Sequence, residues 1–189
     1  MKKYSIIYAD PPWAYDNDLD GISDIGGCSY LSMPLEDIKA LPIKTVAAKD
    51  SFLFLWVTMP KLREGLEVIK AWGFEYITCA FTWVKLNSDN MGIYSGLGYW
   101  TNGNAELCLL GKRGNPIRRA TDIKQIVLAP RLEHSHKPPE VRERIVALVG
   151  NLPRIELFAR HKVSGWDAWG NEVESDIDME EIKLYTAGM

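Results

Sequence analysis

Tyr4-Ser5-Ile6-Ile7-Tyr8-Ala9-Asp10-Pro11-Pro12-Trp13 is the stretch on which the fold turns. Its first six residues hold no Gly, Pro or charge and read as a strand. Apolar side chains occupy both alternations of that strand, the pattern of a sheet covered on both faces. The two prolines that follow fix the local backbone and present Asp10 and Trp13 at the strand's end.

Outward from this strand, similar apolar strings recur at Phe52–Val57, Tyr76–Val84, Glu106–Leu110, Ile126–Ala129 and Ile155–Phe158. Helical spacing lies between them. Leu62, Leu66, Ile69 and Trp72 share one face and Gly73 supplies the stop. Val141, Ile145, Leu148 and Val149 repeat the pattern, with Pro138 and Pro139 near the start and Gly150 at the end. Leu35–Leu41 is a shorter candidate ended by Pro42. Strands alternating with helices predict an open α/β sheet, mostly parallel, of the Rossmann-like kind, with helices on both faces. Tyr76–Val84 and Glu106–Leu110 are expected to pair antiparallel at one edge. Residues 14–30 and 87–104 fit no element. Loops of that length in a compact domain are usually functional or disordered, and both follow strands, beyond whose carboxyl ends α/β sheets place their ligand crevices.

The chain of 189 residues carries 22 Lys and Arg against 25 Asp and Glu, a net charge of −3 that argues against nonspecific coating of nucleic acid. The charge is uneven. From Lys112 to Arg144 there are nine basic and four acidic residues, a stretch that suits phosphates or a solvated face equally. From Glu172 to Lys183 there are six acids and one Lys. One domain over residues 1–175 with an acidic surface tail over 176–189 is the simplest organisation. Cys28, Cys79 and Cys108 are few and widely spaced, as reduced thiols in a cytoplasmic protein would be. The longest apolar run, Phe52–Val57, is too short to cross a bilayer, and nothing at the start of the chain reads as a secretory signal. His134 and His136 have no third ligand nearby, so no metal is expected.

Asp10 and the Pro11 carbonyl, each accepting one N–H, suit an exocyclic aromatic amine. Such a nitrogen is a poor nucleophile until its lone pair is drawn out of conjugation. Trp13 offers a flat face for a base, a contact of about 1–3 kcal/mol. The same residues also suit a strand-end turn with Trp13 in the core.

This stretch resembles the DPPW motif of the MT-A-type adenine methyltransferases, the family of the catalytic subunit of the eukaryotic mRNA adenosine methyltransferase. Further blocks are similar in the same order. They are Tyr30-Leu31-Ser32-Met33, Phe52 to Thr58, Thr82-Trp83-Val84-Lys85, Gly98-Tyr99-Trp100-Thr101-Asn102, Gly111 to Pro116, Ser135-His136-Lys137-Pro138, Ile155 to Arg160 and Trp169-Gly170-Asn171-Glu172. The resemblance covers residues 4 to 173, nearly the whole chain. It implies a permuted class I methyltransferase fold, S-adenosylmethionine as cofactor, and methylation of the N6 amine of adenine.

By the same resemblance, Asp10 and Pro11 hold the amine, with Pro12 completing the motif, and Trp13 shapes the base pocket. Tyr30 stands beside the methyl donor, and Lys137 near the donor's carboxylate. Arg160 and Asn171 bind its ribose, joined by Glu172, which stands where the family usually has Gln. Phe158 lies beneath the adenosine or in the core. Lys85, Trp100, Asn102 and Glu106 flank the acceptor. Eukaryotic members place an acidic donor-binding residue before the motif strand; here that contact is either absent or replaced, by solvent or by Asp24 or Asp37. In the permuted family the donor strand is Ile155–Phe158, so the lack of a Gly-rich loop is neutral.

The short, unappended chain is similar to bacterial and phage members, which puts DNA before RNA as the expected partner, acted on by a monomer or homodimer. A role in restriction protection of a phage genome or a host follows from the same resemblance. A duplex substrate requires the target base to be flipped out or single strands to be used. Two other readings stay open: a non-catalytic nucleic-acid-binding partner of an active enzyme, which the intact motif disfavours, and methylation of the cytosine amine.

Overall fold

The computed structural model describes residues 2–15, 22–25, 28–98, 100–131 and 136–187. Its framework is a seven-stranded sheet. The strands are β1 (Tyr4–Ala9), β4 (Ala47–Thr58), β5 (Glu75–Leu86), β6 (Ala105–Arg113), β7 (Ile126–Pro130), β8 (Arg154–Leu157) and β9 (Asp167–Trp169), in the spatial order β7-β5-β6-β4-β1-β8-β9. A separate antiparallel pair, β2 (Ile22–Ile25) and β3 (Cys28–Leu31), lies in the first long loop. The helices are α1 (Leu35–Ala40), α2 (Ile43–Val46), α3 (Leu62–Ala71), α4 (Glu140–Val149) and α5 (Met179–Ala187).

The motif strand is found where the sequence predicts it, at the centre of the sheet between β4 and β8 and parallel to both. It divides its side chains between two cores. Ile7 and Ala9 join a core with Leu53, Leu55 and Val57, closed by residues of α1, α2, α3 and α5. Ile6 and Tyr8 join a second core with Phe52, Phe54 and Trp56, closed by Val141, Ile145 and Val149 of α4. Burial on both faces is why these strands read as unbroken apolar runs. Tyr4 departs from the alternation and packs with Ile7, because the register with β4 slips between Tyr4 and Ile6 and the N–H groups of Ser5 and Ile6 both donate to the Pro153 carbonyl.

Only β6 among the described strands of the large sheet runs against the rest, antiparallel to both β4 and β5. The antiparallel pairing of β5 and β6 is as expected, but its position differs. The chain after β6 continues to β7, which joins β5 from outside and in parallel, so the antiparallel strand is internal and the edges are β7 and β9. Both edges are protected. Arg144 of α4 donates to the Lys124 and Ile126 carbonyls along β7, at 2.9 and 2.8 Å. Asp176 closes β9, donating its N–H to the Ala168 carbonyl and accepting from the Ala168 N–H, both at 2.8 Å. Blocked edges resist unwanted strand addition.

The acidic end is not merely a solvated tail. Asp178 caps α5 by accepting from the N–H groups of Glu180 and Glu181, and Met179 and Ile182 enter the first core. Two apolar residues one turn apart suffice to dock a helix whose other faces are charged. The described residues of the 87–104 segment also carry defined backbone bonds. The Tyr94 N–H donates to the Lys85 carbonyl and the Gly96 N–H to the Gly103 carbonyl, which folds the segment back on the end of β5. No described helix is long and apolar enough to cross a membrane. Among the described cysteines, Cys79 and Cys108 are free.

Candidate active site

Six strands of the sheet end at one rim and β6 begins there, so the topology alone gathers Asp10, Lys85, Glu106, Phe158, Arg160, Asn171 and Glu172 along it. From β1 the chain crosses to β4 on one side; from β7 it crosses through α4 to β8 on the other. The connections therefore part between β1 and β8, and such a switch point leaves a crevice. A shallow cleft, open to solvent, occupies that place and is lined by Asp10, Lys137, Phe158 and Arg160 together with His136 and His161. A wider depression beside β9, lined by Trp169 and residues 175–178, has its acids committed elsewhere, Asp176 to Lys162 and Ala168 and Asp178 to the α5 cap.

The centre of the site is a chain of four charges. Lys137, just before α4, donates to Asp10 Oδ2 at 2.7 Å and lies 3.1 Å from Glu106 Oε2. Lys85 donates to Glu106 Oε1 at 2.5 Å. Two acids and two ammonium groups thus alternate without net charge, the condition for burying ions without a large desolvation penalty. Each lysine also lies near an aromatic face, Lys85 5.0 Å from the centre of the Trp83 ring and Lys137 5.6 Å from that of Trp56.

Within this chain the two acids are shifted in opposite directions. Burial raises the Asp10 carboxyl above its usual range; Lys137 opposes the rise and Glu106 adds to it. Burial acts the same way on Glu106, but Lys137 and Lys85 together outweigh it and hold that carboxyl below its usual range. Burial would lower Lys137, yet its two carboxylate partners hold the ammonium above its ordinary value. Asp10 keeps 31% of its side-chain surface exposed while Lys137 and Glu106 keep 6% and 7%. The reachable end of the chain is therefore the carboxylate of Asp10.

The turn after β1 is built from the prolines. The Trp13 N–H donates to the Pro11 carbonyl at 2.9 Å, and the Met33 N–H donates to the Pro12 carbonyl at 2.8 Å. A carbonyl oxygen has two lone pairs, so Pro11 retains acceptor capacity. Trp13 is not the open stacking face expected of it. It is 5% exposed, packs in the first core, and donates its indole N–H to the Trp56 carbonyl at 3.1 Å. Trp56 in turn donates its indole N–H to the Tyr8 hydroxyl at 2.6 Å. The motif tryptophan braces the turn from behind, because Ala9 lies opposite Leu55 in the register and the Trp56 carbonyl comes next along β4.

At the other wall, Phe158 takes φ 61° immediately after β8 and meets the Trp169 ring edge-on at 5.2 Å. Gly170 follows, where a Cβ would lie 2.2 Å from the Ala159 carbonyl oxygen, so only glycine permits the two strand ends to approach. That approach brings Arg160 Nε within 3.7 Å of Glu172 Oε1, and Asn171 stands exposed beside them. Trp100 and Asn102 are exposed on the 87–104 segment, where Asn102 donates to Ser95 Oγ at 2.7 Å. The side chains of Tyr30 and Asp24 lie outside the described residues; Asp37 stands exposed on α1. Among the described residues no His, Cys, Asp and Glu group has the arrangement of a metal site.

One element at the cleft escapes a reading of motifs. Arg142 of α4 and Glu156 of β8 form a buried bidentate pair, both bonds 2.7 Å, with the guanidinium 5.6 Å from the centre of the Tyr8 ring. A lone Glu between Ile155 and Leu157, and an Arg beside Val141 on a core-facing helix, are the available signals, since buried charges are seldom unpaired.

The donor's chemistry fits these residues. A cleft with the Lys137 and Arg160 cations, the Asp10 carboxylate and the Phe158 ring offers partners for an amino-acid end, a ribose and a purine. Known proteins resemble the chain along nearly its whole length. The MT-A70 family profile matches residues 4–172. The chain is 32% identical to the Type II methyltransferase M.MunI of a Mycoplasma species, with 99% of this chain and 83% of that protein aligned. It is 33% identical to the N(6)-adenosine-methyltransferase MT-A70-like protein of Drosophila melanogaster, over 92% of this chain and 28% of that one. It is 34% identical to the N(6)-adenosine-methyltransferase catalytic subunit METTL3 of Homo sapiens, over 92% of this chain and 29% of that one.

Proposed function

The chain belongs to the MT-A70 family, and from that premise we propose that it transfers the methyl group of S-adenosylmethionine to the N6 amine of adenine in DNA. The observation that carries the proposal is Asp10, partly exposed at the switch point of the sheet and fixed by Lys137 at 2.7 Å. When bound, the cofactor supplies an electrophilic methyl on a sulfonium. The protein's part is to position and activate the amine. Asp10 and the Pro11 carbonyl each accept one N–H, which draws the nitrogen lone pair out of the purine ring. Lys137, Arg160 and Phe158 would hold this donor, whose methyl would pass to the amine nitrogen with the C–S pair staying on sulfur, and Asp10 or water would take the surplus N–H proton. Positioning and fixed charge do most of such catalysis.

Lys137, held by two acids, keeps Asp10 oriented and sets a cation on the donor side. On this reading Arg160, Asn171 and Glu172 hold the ribose, supported by the 3.7 Å approach of Arg160 to Glu172, and Phe158 lies against the adenosine. Tyr30 is assigned to the donor by the family resemblance alone. Lys85, Trp100 and Asn102 stand on the acceptor side, and Trp13 acts through the turn it supports.

DNA precedes RNA because M.MunI is matched over most of its length, whereas the chain spans under a third of the two adenosine methyltransferases. The intact acid, lysine and arginine argue against a non-catalytic subunit. A cytoplasmic site of action suits a substrate of this kind. A tritiated-methyl assay on DNA and RNA oligomers, followed by nucleoside mass spectrometry, tests the proposal. N6-methyladenine in DNA is expected; methylcytosine, or label in RNA alone, would overturn it.

A further inference from the structure

Leu97 and Trp100 are each 98% exposed, an unusual state for two large apolar side chains so close in sequence. They do not hang on a slack loop. A Cβ at Gly98 would lie 2.0 Å from the Thr101 carbonyl oxygen, and one at Gly96 would lie 2.4 Å from that of Gly103. The tip is therefore closed on its own backbone, with no room for side chains on its inner side. Below it, the Gly96–Gly103 and Asn102–Ser95 bonds cross-link the two limbs. At the root, Lys85 donates its N–H to the Asn104 carbonyl and accepts from the Tyr94 N–H, each at 2.8 Å. Folding has thus fixed a tip that buries neither apolar side chain.

The position of this tip says what meets it. Its two limbs are the end of β5 and the start of β6, which carry Lys85 and Glu106, and Glu106 reaches Asp10 through the single ammonium of Lys137. Arg131 lies 4.4 Å from the centre of the Tyr94 ring at the loop's root, where a cation would meet a phosphate backbone. Exposed apolar side chains on a backbone-cross-linked loop, with cations at its root beside the charge chain that reaches Asp10, match the devices by which proteins open a duplex.

We propose that Leu97 and Trp100 form a wedge that enters the base stack of duplex DNA and fills the place vacated by the extruded target base. This rests on the methyl-transfer reading above and adds a role for a residue outside the acceptor contacts, Leu97. Pairing between the wedge and the empty stack would favour the extruded state; a strand with no partner leaves no such place to fill.

The test compares the wild-type chain with Leu97→Ala on one plasmid DNA, annealed and heat-denatured, by tritiated-methyl transfer. The Leu97 side chain is solvated, so the thermal midpoint should not move. The variant should lose about tenfold or more in kcat/KM on annealed DNA and stay within about twofold of wild type on denatured DNA. Leu97→Met should recover most of the loss. Equal loss on both forms, or no loss on either, overturns the wedge while leaving methyl transfer intact. Equal loss together with halved mass in sedimentation equilibrium overturns it in favour of contact with a second copy. Wild-type transfer to denatured DNA alone also overturns it. Absence of wild-type transfer to any nucleic acid removes the methyl-transfer reading itself.

Discussion

Asp10 and Lys137 stand 127 residues apart in the chain and 2.7 Å apart in the fold, with the lysine buried and the aspartate reaching the cleft. One ammonium therefore sets both the direction and the charge of the carboxylate that faces the cleft. Asp10→Ala should reduce kcat by about 10³-fold, comparable to removing a preorganised polar group from a reacting centre. Donor affinity measured by calorimetry should change little. Retained turnover would remove Asp10 from its role.

The pH dependence of kcat/KM follows from the same pair. The amine-holding role needs the ionised form, and burial raises the Asp10 carboxyl. Activity should therefore fall, as pH decreases, above the value near 3.9 of a free aspartate. Lys137 opposes the rise, so Lys137→Met should move the acid limb to still higher pH. An acid limb that stays in place in this variant would mean another group titrates.

Glu106 joins both lysines, and its loss removes the carboxylate shared by the buried Lys137 and the part-buried Lys85. Breaking a buried pair costs about 3–5 kcal/mol, so Glu106→Gln should lower the thermal midpoint by roughly 6–20 °C in a chain of this size. The folded-state carboxyl is held below its usual range. Its contribution is present above the unfolded value and is lost as pH falls through the depressed one. The gap between wild type and variant should accordingly narrow in acid, as differential scanning calorimetry would read.

What the sequence made legible followed from burial on both faces. β1, β4 and the apolar parts of β5, β6, β7 and β8 announced themselves because apolar residues fill most of their positions where two cores press. β9 did not, since three residues paired only to β8 carry no periodic signal. The α5 helix was masked by its acids, its docking resting on Met179 and Ile182. The resemblance found Asp10, Lys137 and Arg160, and the structure brings them to one cleft. The Arg142–Glu156 pair went unread because each partner is a single charge in an apolar pattern, and only the packing of α4 on β8 joins them.

That pair makes its own prediction. Glu156→Gln strands the Arg142 guanidinium beneath the cleft and should destabilise by about 3–5 kcal/mol. Arg142→Met with Glu156→Leu removes both charges and should recover most of that loss, because an apolar replacement spares two desolvations. A double variant as unstable as the single one in urea titration would show that the pair does more than balance charge.

Trp13 decides between two uses of one residue. A stacking platform must present a face, whereas this indole is 5% exposed and spends its N–H on the Trp56 carbonyl. Trp13→Ala should therefore act through folding, with a loss of about 3–5 kcal/mol from the cavity it leaves. Trp13→Phe keeps much of the volume but strands a buried carbonyl, at about 1–3 kcal/mol. If Trp13 supports the turn, kcat at a temperature where both variants are folded should track the position of Asp10, with Phe near wild type and Ala well below it. If instead it stacks on the base, stability should be nearly untouched and both substitutions should appear in KM for the nucleic acid. Unfolding curves and steady-state kinetics on the same two proteins separate these outcomes, since the first alternative moves the midpoint and the second does not.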